Sequence, residues 1–341
     1  TYLHPTDGKG VTHIHSLMEY APHQLLIGSD DGLLLFNTLT EEYKLFTENE
    51  TVPNSLSNRF VYPIIKDREG GIWIGTYYGG INYISPNAEQ FESFSHSRLY
   101  NSINGNVIGR FCEDAHGQIW IASDDGGLNR YSPKDRKFVY YLPADHKNSL
   151  SYHNVHALCM DGDNLWIGTY TGGVNVLNLQ TGTFKVYRSY TDIPTSLDGT
   201  SSYAIFKDRS DRIWVASMNG INLYNREEDN FIRIKNLDAM TIDIDQDTKG
   251  NLWFSTQGKG LFKFHPEKQI WKNYVHNNTL PNTLANNQVN CCLIDSHGEI
   301  WAGTMNGLCK YNIEEDNFET IPLEIPSHNI CSIIEDQHIL W

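Results

Sequence analysis

The chain has 341 residues, of which 40% are hydrophobic and 20% are charged. This balance excludes wholesale disorder, because there is enough apolar surface to bury in a core. The 26 Lys and Arg residues against 41 Asp and Glu residues give a net charge of −15, which disfavours non-specific binding to nucleic acid or to an anionic bilayer. No apolar run reaches the roughly 18 residues of a membrane-spanning helix.

One phrase recurs along the chain: an Asp, a short turn, an apolar residue, Trp, an apolar residue, two small residues and Gly. It is clear at 67–80, 114–127, 161–173, 208–220, 247–260 and 295–307, weaker at 24–32, and begins again at 336–341. The repeated positions are Leu26, Trp73, Trp120, Trp166, Trp214, Trp253, Trp301 and Trp341. Their mean spacing of about 45 residues fits the four-stranded blade of a β-propeller better than a helical repeat.

The third copy shows the predicted blade most clearly, as four β-rich runs separated by turn residues. These runs are Val107–Glu113, Ile119–Ser123, Gly127–Tyr131 and Lys137–Tyr141, named strands A to D. No segment has a sustained 3.6-residue apolar period, so we expect no helix. The sequence therefore predicts an all-β, seven-bladed propeller of four-stranded antiparallel blades over residues 1–329. Residues 330–341 are expected to start a further, truncated repeat, as in a chain cut from a longer protein.

Each repeated residue type has a structural role that the pattern itself suggests. The Asp can accept hydrogen bonds from backbone N–H groups in the A–B turn, and the Trp is suited to packing between adjacent blades. Six cysteines without a CxxC pair are expected to be buried free thiols. We therefore assign no catalytic constellation to the repeat.

The repeat resembles the two-component regulator propeller repeat. The resemblance is most complete at Ser55-Leu56-Ser57, Val61, Ile64, Asp67, Gly70, Ile72-Trp73-Ile74-Gly75-Thr76, Gly79-Gly80-Ile81-Asn82-Tyr83 and Phe91. The chain departs from the pattern at Leu26, in two short steps of the repeat (Trp214 to Trp253 and Trp301 to Trp341), and in the turn after Asp208, which lacks Gly. These departures leave the blade lengths open.

The resemblance implies a periplasmic sensor region of a Bacteroides-type hybrid two-component system. Such a region senses an oligosaccharide released from a glycan and signals to a histidine kinase, which regulates transcription of utilisation genes. The parent would be anchored in the inner membrane. The implied partners are the oligosaccharide and the neighbouring propeller and β-sandwich domains of the parent. The resemblance also allows a homodimer formed through the parent protein. This region itself would contact no nucleic acid.

The sequence contains no GxSxG, HExxH, Walker A or dinucleotide-binding pattern of the kind that marks common enzyme active sites. Asp243, Asp245 and Asp247 resemble the start of a calcium loop, but Gly250 and Phe254 fall where such a loop needs other residues. We interpret them as outward acids on a strand that runs into an A–B turn. The sequence thus predicts a non-enzymatic region with no catalytic residue, no metal and no cofactor.

Propeller topology places the B–C turns and D–A connections on one face, and these are the segments that vary between repeats. Aromatic rings there can stack on sugar C–H faces, and polar side chains can bind hydroxyls. The candidate ligand-binding residues are Tyr77, Tyr78, Asp124, Asp125, Tyr170, Thr171, Asn219, Lys259, Asn306, Arg59 and His153. Two alternatives stay open: a protein–protein scaffold propeller, and a propeller lyase or hydrolase.

Overall fold

The computed structural model describes residues 13–49, 55–68, 70–84, 94, 96–97, 99–145, 148–323, 328–336 and 338–340. Every regular element within these ranges is a β-strand, as the sequence predicts. No helix that could cross a membrane occurs among them. The chain divides into two compact units, Thr1–Ser102 and Ile103–Trp341.

The first unit contains two antiparallel sheets, blade 1 and blade 2, whose strands are hydrogen-bonded in chain order. The strands of blade 1 are β1 (Ile14–Ala21), β2 (Gln24–Ser29), β3 (Gly32–Asn37) and β4 (Tyr43–Phe46). Those of blade 2 are β5 (Val61–Lys66), β6 (Ile72–Thr76) and β7 (Gly80–Ile84). Leu26, Leu33, Val61, Ile72 and Ile74 form the buried core of this unit, so β2 and β3 of blade 1 pack against β5 and β6 of blade 2.

The second unit contains five four-stranded antiparallel sheets, blades 3 to 7, and a two-stranded hairpin. The strands of blades 3 and 4 are β8 (Ile108–Glu113), β9 (Ile119–Ser123), β10 (Gly127–Ser132), β11 (Lys137–Tyr141), β12 (Val155–Asp161), β13 (Asn164–Thr169), β14 (Val174–Asn178) and β15 (Thr183–Tyr187). Those of blades 5 and 6 are β16 (Ser202–Lys207), β17 (Ile213–Ser217), β18 (Ile221–Asn225), β19 (Asn230–Ile234), β20 (Thr241–Gln246), β21 (Leu252–Thr256), β22 (Leu261–His265) and β23 (Ile270–Tyr274). Blade 7 and the hairpin comprise β24 (Val289–Ile294), β25 (Ile300–Thr304), β26 (Gly307–Asn312), β27 (Asn317–Ile321), β28 (Glu335–Asp336) and β29 (Ile339–Leu340).

The β-propeller fold class is confirmed, and the blade 3 strands differ from their predicted bounds by one residue at two ends. Seven successive sheets carry the repeat; in blade 2 only strands A to C are described. The domain bounds 1–329 and 330–341 stay a prediction, and Trp341 lies outside the described residues.

Three of the repeated Trp residues of the second unit pack between consecutive blades, as predicted. Trp120 packs with Leu165 of blade 4, Trp214 with Leu252 of blade 6, and Trp253 with Ile300 of blade 7. Their exposed fractions do not exceed 2%. Burying these large rings removes much apolar surface from water, at roughly 25 cal/mol per Å², so they anchor the blade interfaces.

The repeated Asp does more than the sequence analysis predicts. One oxygen of Asp114 accepts hydrogen bonds from the backbone N–H groups of His116 (2.9 Å) and Gln118 (3.0 Å), and the other accepts from Trp120 Nε1 at 2.9 Å. The same Asp–Trp bond recurs in four other blades, between Asp67 and Trp73, Asp208 and Trp214, Asp247 and Trp253, and Asp295 and Trp301. The six-residue spacing is therefore a hydrogen-bonding requirement as well as a packing one.

Two of the departures from the repeat have local explanations. In the turn after Asp208, Asp211 adopts φ +67°, a conformation that glycine adopts at the equivalent position in other blades, for instance Gly117 at φ +72°; Asp tolerates it better than most residues. The short step between Trp214 and Trp253 lies in the D–A connection, because β19 ends at Ile234 and β20 already begins at Thr241. Blade 6 itself keeps all four strands.

The cysteines are free thiols, and their burial varies more than predicted. Cys291, Cys292 and Cys309 are buried, whereas Cys112 and Cys159 are half-buried. Cys331 is exposed, which corrects the expectation for that residue: it follows the last strand of blade 7 and is not part of a sheet. No cysteine therefore contributes a cross-link among the described residues.

Candidate functional site

The B–C turn and the D–A connection meet at the same end of every blade. In each blade, the first residue of the B–C turn donates its backbone N–H to the carbonyl of the residue just before strand A. The pairs are Asp30 and His13, Tyr77 and Phe60, Asp124 and Val107, Tyr170 and Asn154, Met218 and Ser201, Gln257 and Met240, and Met305 and Gln288. The sequence prediction that these segments share a face is thus confirmed blade by blade.

Four rings form a continuous row at this end of the first unit, which we call the Tyr62 cluster. His15 stacks on Tyr62 with ring centroids 4.0 Å apart and an interplanar angle of 11°. Tyr62 lies 5.4 Å from Tyr77, and Tyr77 lies 4.5 Å from Tyr78 in an edge-on arrangement. Tyr77 and Tyr78 are 63% and 78% exposed. Flat apolar surface of this extent, open to solvent, suits a ligand with an apolar face.

A carboxylate fixes one end of the Tyr62 cluster. Asp30 Oδ1 lies 2.6 Å from His15 Nε2, and Asp30 Oδ2 lies 3.0 Å from His13 Nδ1. The hydrogen bond with His15 lowers the pKa of Asp30 below its usual value. The His15 ring that stacks on Tyr62 is therefore held by a B–C turn residue of blade 1, so the cluster is preorganised.

Arg59 lies at the edge of the same surface. Its guanidinium sits over the Phe60 ring, 4.7 Å from the centroid, and its backbone N–H donates to Glu48. The exposed guanidinium offers hydrogen-bond donors, and Arg59 precedes Tyr62 by three residues in sequence. Three predicted residues, Arg59, Tyr77 and Tyr78, thus lie at one end of blade 2.

A second group of side chains meets at the corresponding end of the second unit, and we call it the His156 cluster. His156 Nε2 lies 3.0 Å from Asp124 Oδ1. Its ring lies 6.0 Å from Tyr170 and 5.2 Å from Tyr203, and Asn154 Nδ2 donates to Asp124 Oδ1 at 2.9 Å. Two predicted residues on different B–C turns, Asp124 and Tyr170, are therefore brought together by a histidine that the sequence analysis did not select.

Asp125 is placed differently from its neighbour Asp124. Its carboxylate accepts hydrogen bonds from the backbone N–H groups of Asn106 (2.9 Å) and Val107 (3.1 Å) and from Ser123 Oγ at 2.8 Å. The Val107 N–H is the largest cause of a pKa lowered to about 2. Asp125 thus joins the B–C turn of blade 3 to the D–A connection, and its oxygens are largely occupied by the protein itself.

The remaining predicted residues are exposed on the same ends of the blades. His153 stacks on Tyr152 at 4.7 Å, and Thr171 follows Tyr170 in the B–C turn of blade 4. Lys259 Nζ pairs with Asp238 Oδ1 at 2.7 Å. Asn219 and Asn306 cap their turns through backbone N–H groups that donate to Ser217 and Thr304. Each of these five belongs to its own blade's turn or connection.

A cavity of about 300 Å³ lies among the first strands of blades 3 to 7. Asp243 and Asp245 point into it, which corrects the interpretation of these residues as outward acids. Asp243 Oδ2 accepts from the Cys292 N–H at 3.0 Å and Asp245 Oδ2 from the Ile294 N–H at 2.9 Å. Burial raises the pKa of Asp243 and raises that of Asp245 to about 6.

The Asp243 carboxylate also meets a cation across the cavity. Arg110 Nη2, on β8 of blade 3, lies 3.3 Å from Asp243 Oδ1 and donates to the Ile242 carbonyl at 3.1 Å. A partly buried pair of opposite charges that is also hydrogen-bonded to backbone joins two non-adjacent blades. We interpret these acids as structural, because each oxygen has a protein partner.

Tyrosines with strongly raised pKa values lie on the third and fourth strands of the blades. Asp316 accepts 2.5 Å hydrogen bonds from Tyr274 Oη and Tyr311 Oη and pairs with Lys272. Burial is the largest cause of the raised pKa of Tyr311, about 12, while the hydrogen bonds outweigh burial at Asp316 and lower its pKa to about 2. The same set recurs as Tyr187, Tyr224, Asp229 and Lys185. Because this set of two tyrosines, an Asp and a Lys recurs at two blade interfaces, we interpret it as a contact that stabilises the packing of adjacent blades.

One group of side chains has the composition of a metal site, although the sequence predicts none. His297, Glu335 and His338 place their ligand atoms within 4.8 Å of one another. This group lies at the A–B turn of blade 7 and the C-terminal hairpin.

Comparison with known proteins supports the sequence-based assignment. The two component regulator propeller family model matches residues 55–78, 102–125, 149–171 and 283–306. The chain is 27% identical over 188 residues to histidine kinase P4 of Formosa agariphila, a match that covers 51% of this chain and 13% of that protein.

Two solved structures from B. thetaiotaomicron, both extracellular domains assigned to hybrid two component systems, share the fold. One has a TM-score of 0.63 at 23% identity and matches 95% of this chain and 48% of its own length. The other has a TM-score of 0.59 at 23% identity and matches 96% and 46%. At this identity the likeness establishes the fold, and the chain spans about half the length of these domains.

Proposed function

We propose that this chain, a β-propeller of two component regulator repeats, is a ligand-sensing domain of a histidine kinase system and binds a glycan-derived oligosaccharide. The observation that carries the proposal is the Tyr62 cluster, a preorganised row of four rings at the end of the blades where the repeats differ. Sugar rings present apolar C–H faces that stack on such surfaces. The periplasmic location and the anchoring of the parent in the inner membrane belong to the same proposal.

Signalling follows from differential binding. A ligand shifts an equilibrium between two arrangements only by its difference in affinity for them. A ligand on the B–C turns and D–A connections contacts several blades and the parent's neighbouring domains, so it can favour one packing of those domains. This chain then acts as the ligand sensor, and the kinase of the parent chain carries out the phosphotransfer.

One observation favours the enzyme alternative. The Asp124–His156 pair, beside Tyr170 and Tyr203, has the residue types of an acid–base group. Burial raises the pKa of Tyr203, which keeps its hydroxyl protonated at neutral pH. The proposed function assigns these groups to hydroxyl recognition, and product analysis separates the two roles.

The test is calorimetric titration of the chain with size-defined oligosaccharides from plant and host glycans, with product analysis on the same samples. We expect micromolar binding to one glycan class and no cleavage. The Tyr77→Ala and Tyr78→Ala variants should lose the binding.

The matched control is Tyr43→Ala, because Tyr43 is an exposed tyrosine of the same unit on β4, the fourth strand of blade 1. This variant should bind as the unchanged chain does. Binding to no member of the panel would contradict the oligosaccharide proposal and favour the scaffold alternative, and cleavage would contradict the non-enzymatic assignment.

A further inference from the structure

The A–B turn of blade 7 and the C-terminal hairpin carry three metal-ligating side chains. His297 lies in the turn between β24 and β25, Glu335 is in β28, and His338 lies between β28 and β29. All three belong to the second unit. Their nearest ligand atoms lie within 4.8 Å of one another, although His297 and His338 are separated from each other by a full repeat length in sequence.

The three side chains already converge. Glu335 Oε1 lies 3.4 Å from His338 Nδ1, and the two imidazole rings are 4.9 Å apart at an angle of 52°. A tetrahedral zinc site with bond lengths of about 2.0–2.2 Å separates its ligand atoms by about 3.3–3.5 Å. Small side-chain rotations therefore suffice to bring all three ligands to one ion.

The surrounding turn holds this arrangement in place. Ser296 donates its backbone N–H to Glu335 Oε2 at 2.7 Å and its Oγ to Glu335 Oε1 at 2.6 Å. The blade 7 turn is itself fixed by Asp295, which accepts from the N–H groups of His297 and Glu299. Hydrogen bonds that orient a ligating carboxylate are a regular feature of metal sites.

His338 has a backbone conformation that an ordinary side chain seldom adopts. Its φ is +66°, in the left-handed region where Gly or Asn is usually found. The hairpin thus carries an imidazole where a residue without ligand chemistry would be less strained.

We propose that His297, Glu335 and His338 bind a divalent transition-metal ion of the Zn²⁺ class. Two imidazole nitrogens and one carboxylate oxygen form a donor set that is intermediate between hard and soft ligands. This set suits zinc and disfavours Ca²⁺ and Mg²⁺, which take oxygen ligands. Three protein ligands leave the fourth position for water or another ligand. The ion fastens the C-terminal hairpin to blade 7, and its binding energy contributes to folding of that segment.

The chain provides its own control at His116. This residue occupies the same turn position after Asp114 as His297 does after Asp295, with the same Asp–Trp hydrogen bond. Within the described part of the chain, His116 belongs to no group of three potential metal ligands. A His116→Ala variant therefore removes an equivalent turn histidine without touching the proposed site.

The test is titration of the EDTA-treated full chain with Zn²⁺ by calorimetry, and with Co²⁺ by its visible absorption, with Cys331→Ser in every protein to remove an exposed thiol. We expect one equivalent of metal and a rise in the unfolding midpoint with Zn²⁺. His297→Ala should weaken the affinity roughly tenfold or more, and so should His338→Asn, which suits the left-handed backbone. His116→Ala should bind normally.

Two results would overturn the proposal. One is a wild-type Zn²⁺ affinity no higher than that of the His297→Ala/His338→Asn double variant, which would mean adventitious binding elsewhere. The other is a Co²⁺ spectrum that is unchanged in the double variant. Circular dichroism of each metal-free protein shows whether a variant that has lost affinity is still folded. Glu335→Gln should also weaken the Zn²⁺ affinity, as a test independent of the two histidines.

Discussion

The A–B turns and the B–C turns of this propeller are governed by different requirements. In the A–B turns of five blades, one carboxylate accepts a hydrogen bond from the indole of the same repeat at 2.8–3.0 Å. The B–C turns all make a backbone hydrogen bond to the D–A connection, but the side chains at their first two positions vary, from two tyrosines in blade 2 to two aspartates in blades 1 and 3 and Met-Asn in blades 5 and 7. The repeat thus fixes the fold at one end of each blade and leaves the other end free to vary.

Blade 4 shows what the constant turn requires. Asp161 and Trp166 are five residues apart instead of six, and the buried Trp166 Nε1 has no hydrogen-bond partner among the described residues. Asp161 pairs instead with Lys207 at 2.9 Å and Arg226 at 2.7 Å. One deleted turn residue therefore replaces the Asp–Trp bond with ion pairs to blade 5.

The largest expected effect is on packing at the constant positions. Trp253→Ala should lower the free energy of unfolding by about 3–5 kcal/mol, because it empties a fully buried site between blades 6 and 7. Trp73→Ala should cost much less, since Trp73 is 42% exposed. Denaturant unfolding of both variants measures the difference, and equal losses would contradict the packing account.

The next effect isolates the Asp–Trp hydrogen bond. Asp114→Asn keeps an oxygen for the backbone N–H groups but can turn an NH₂ group towards Trp120 Nε1, which leaves a buried donor without an acceptor. We expect a loss of about 1–3 kcal/mol. Asp161→Asn has no bond to an indole to lose. It weakens the pairing with Lys207 and Arg226, whose side chains are 29% and 44% exposed, so we expect a loss of about 1 kcal/mol or less. A larger loss in Asp161→Asn than in Asp114→Asn, by chemical denaturation, would refute this ranking.

A smaller, pH-dependent effect separates turn-forming from ligand-facing residues of the B–C turns. The folded-state pKa of Asp125 is about 2, below the roughly 3.9 of an unfolded Asp. Its carboxylate therefore contributes stability above about pH 4 and loses it as the pH falls towards 2. Asp125→Asn should lower the unfolding midpoint at pH 6 and match the unchanged chain near pH 2. A difference that persists at pH 2 would contradict the assignment.

The smallest expected effect on stability is at the exposed rings. Tyr77→Ala and Tyr78→Ala should change the free energy of unfolding by no more than about 0.5 kcal/mol, as is usual for surface positions. The same variants should abolish oligosaccharide binding. Unfolding curves and titrations on one preparation measure both. A loss of several kcal/mol would instead assign these rings to the scaffold.

The sequence predicts the fold well because its signals are local and repeated. The Trp spacing and the turn residues predict the blade 3 strands to within one residue at each end. The sequence also shows the short step before Trp253, but only the structure shows that the missing residues belong to the D–A connection. The Asp–Trp bond was missed because both partners have sufficient separate explanations, a turn and a packing role, and only coordinates show that they meet.

The site is less predictable, because it depends on which side chains of different blades meet. Tyr77 and Tyr170 stand in obvious turns, but His15, Tyr62 and His156 lie on strands and look like ordinary strand residues. Their part in the site becomes clear only when the structure shows which side chains of neighbouring first strands meet. Asp125 shows the reverse, since it follows Asp124 in sequence and yet its oxygens are taken up by backbone N–H groups.

Hydrogen–deuterium exchange measures most directly whether the ligand binds at the variable ends of the blades. The full chain is compared with and without the oligosaccharide that binds in the titration. We expect slower exchange in the B–C turns and D–A connections, above all around Tyr62, Tyr77 and Tyr78, and unchanged exchange in the A–B turns. Protection centred on the A–B turns, or confined to the outer D strands, would contradict this expectation.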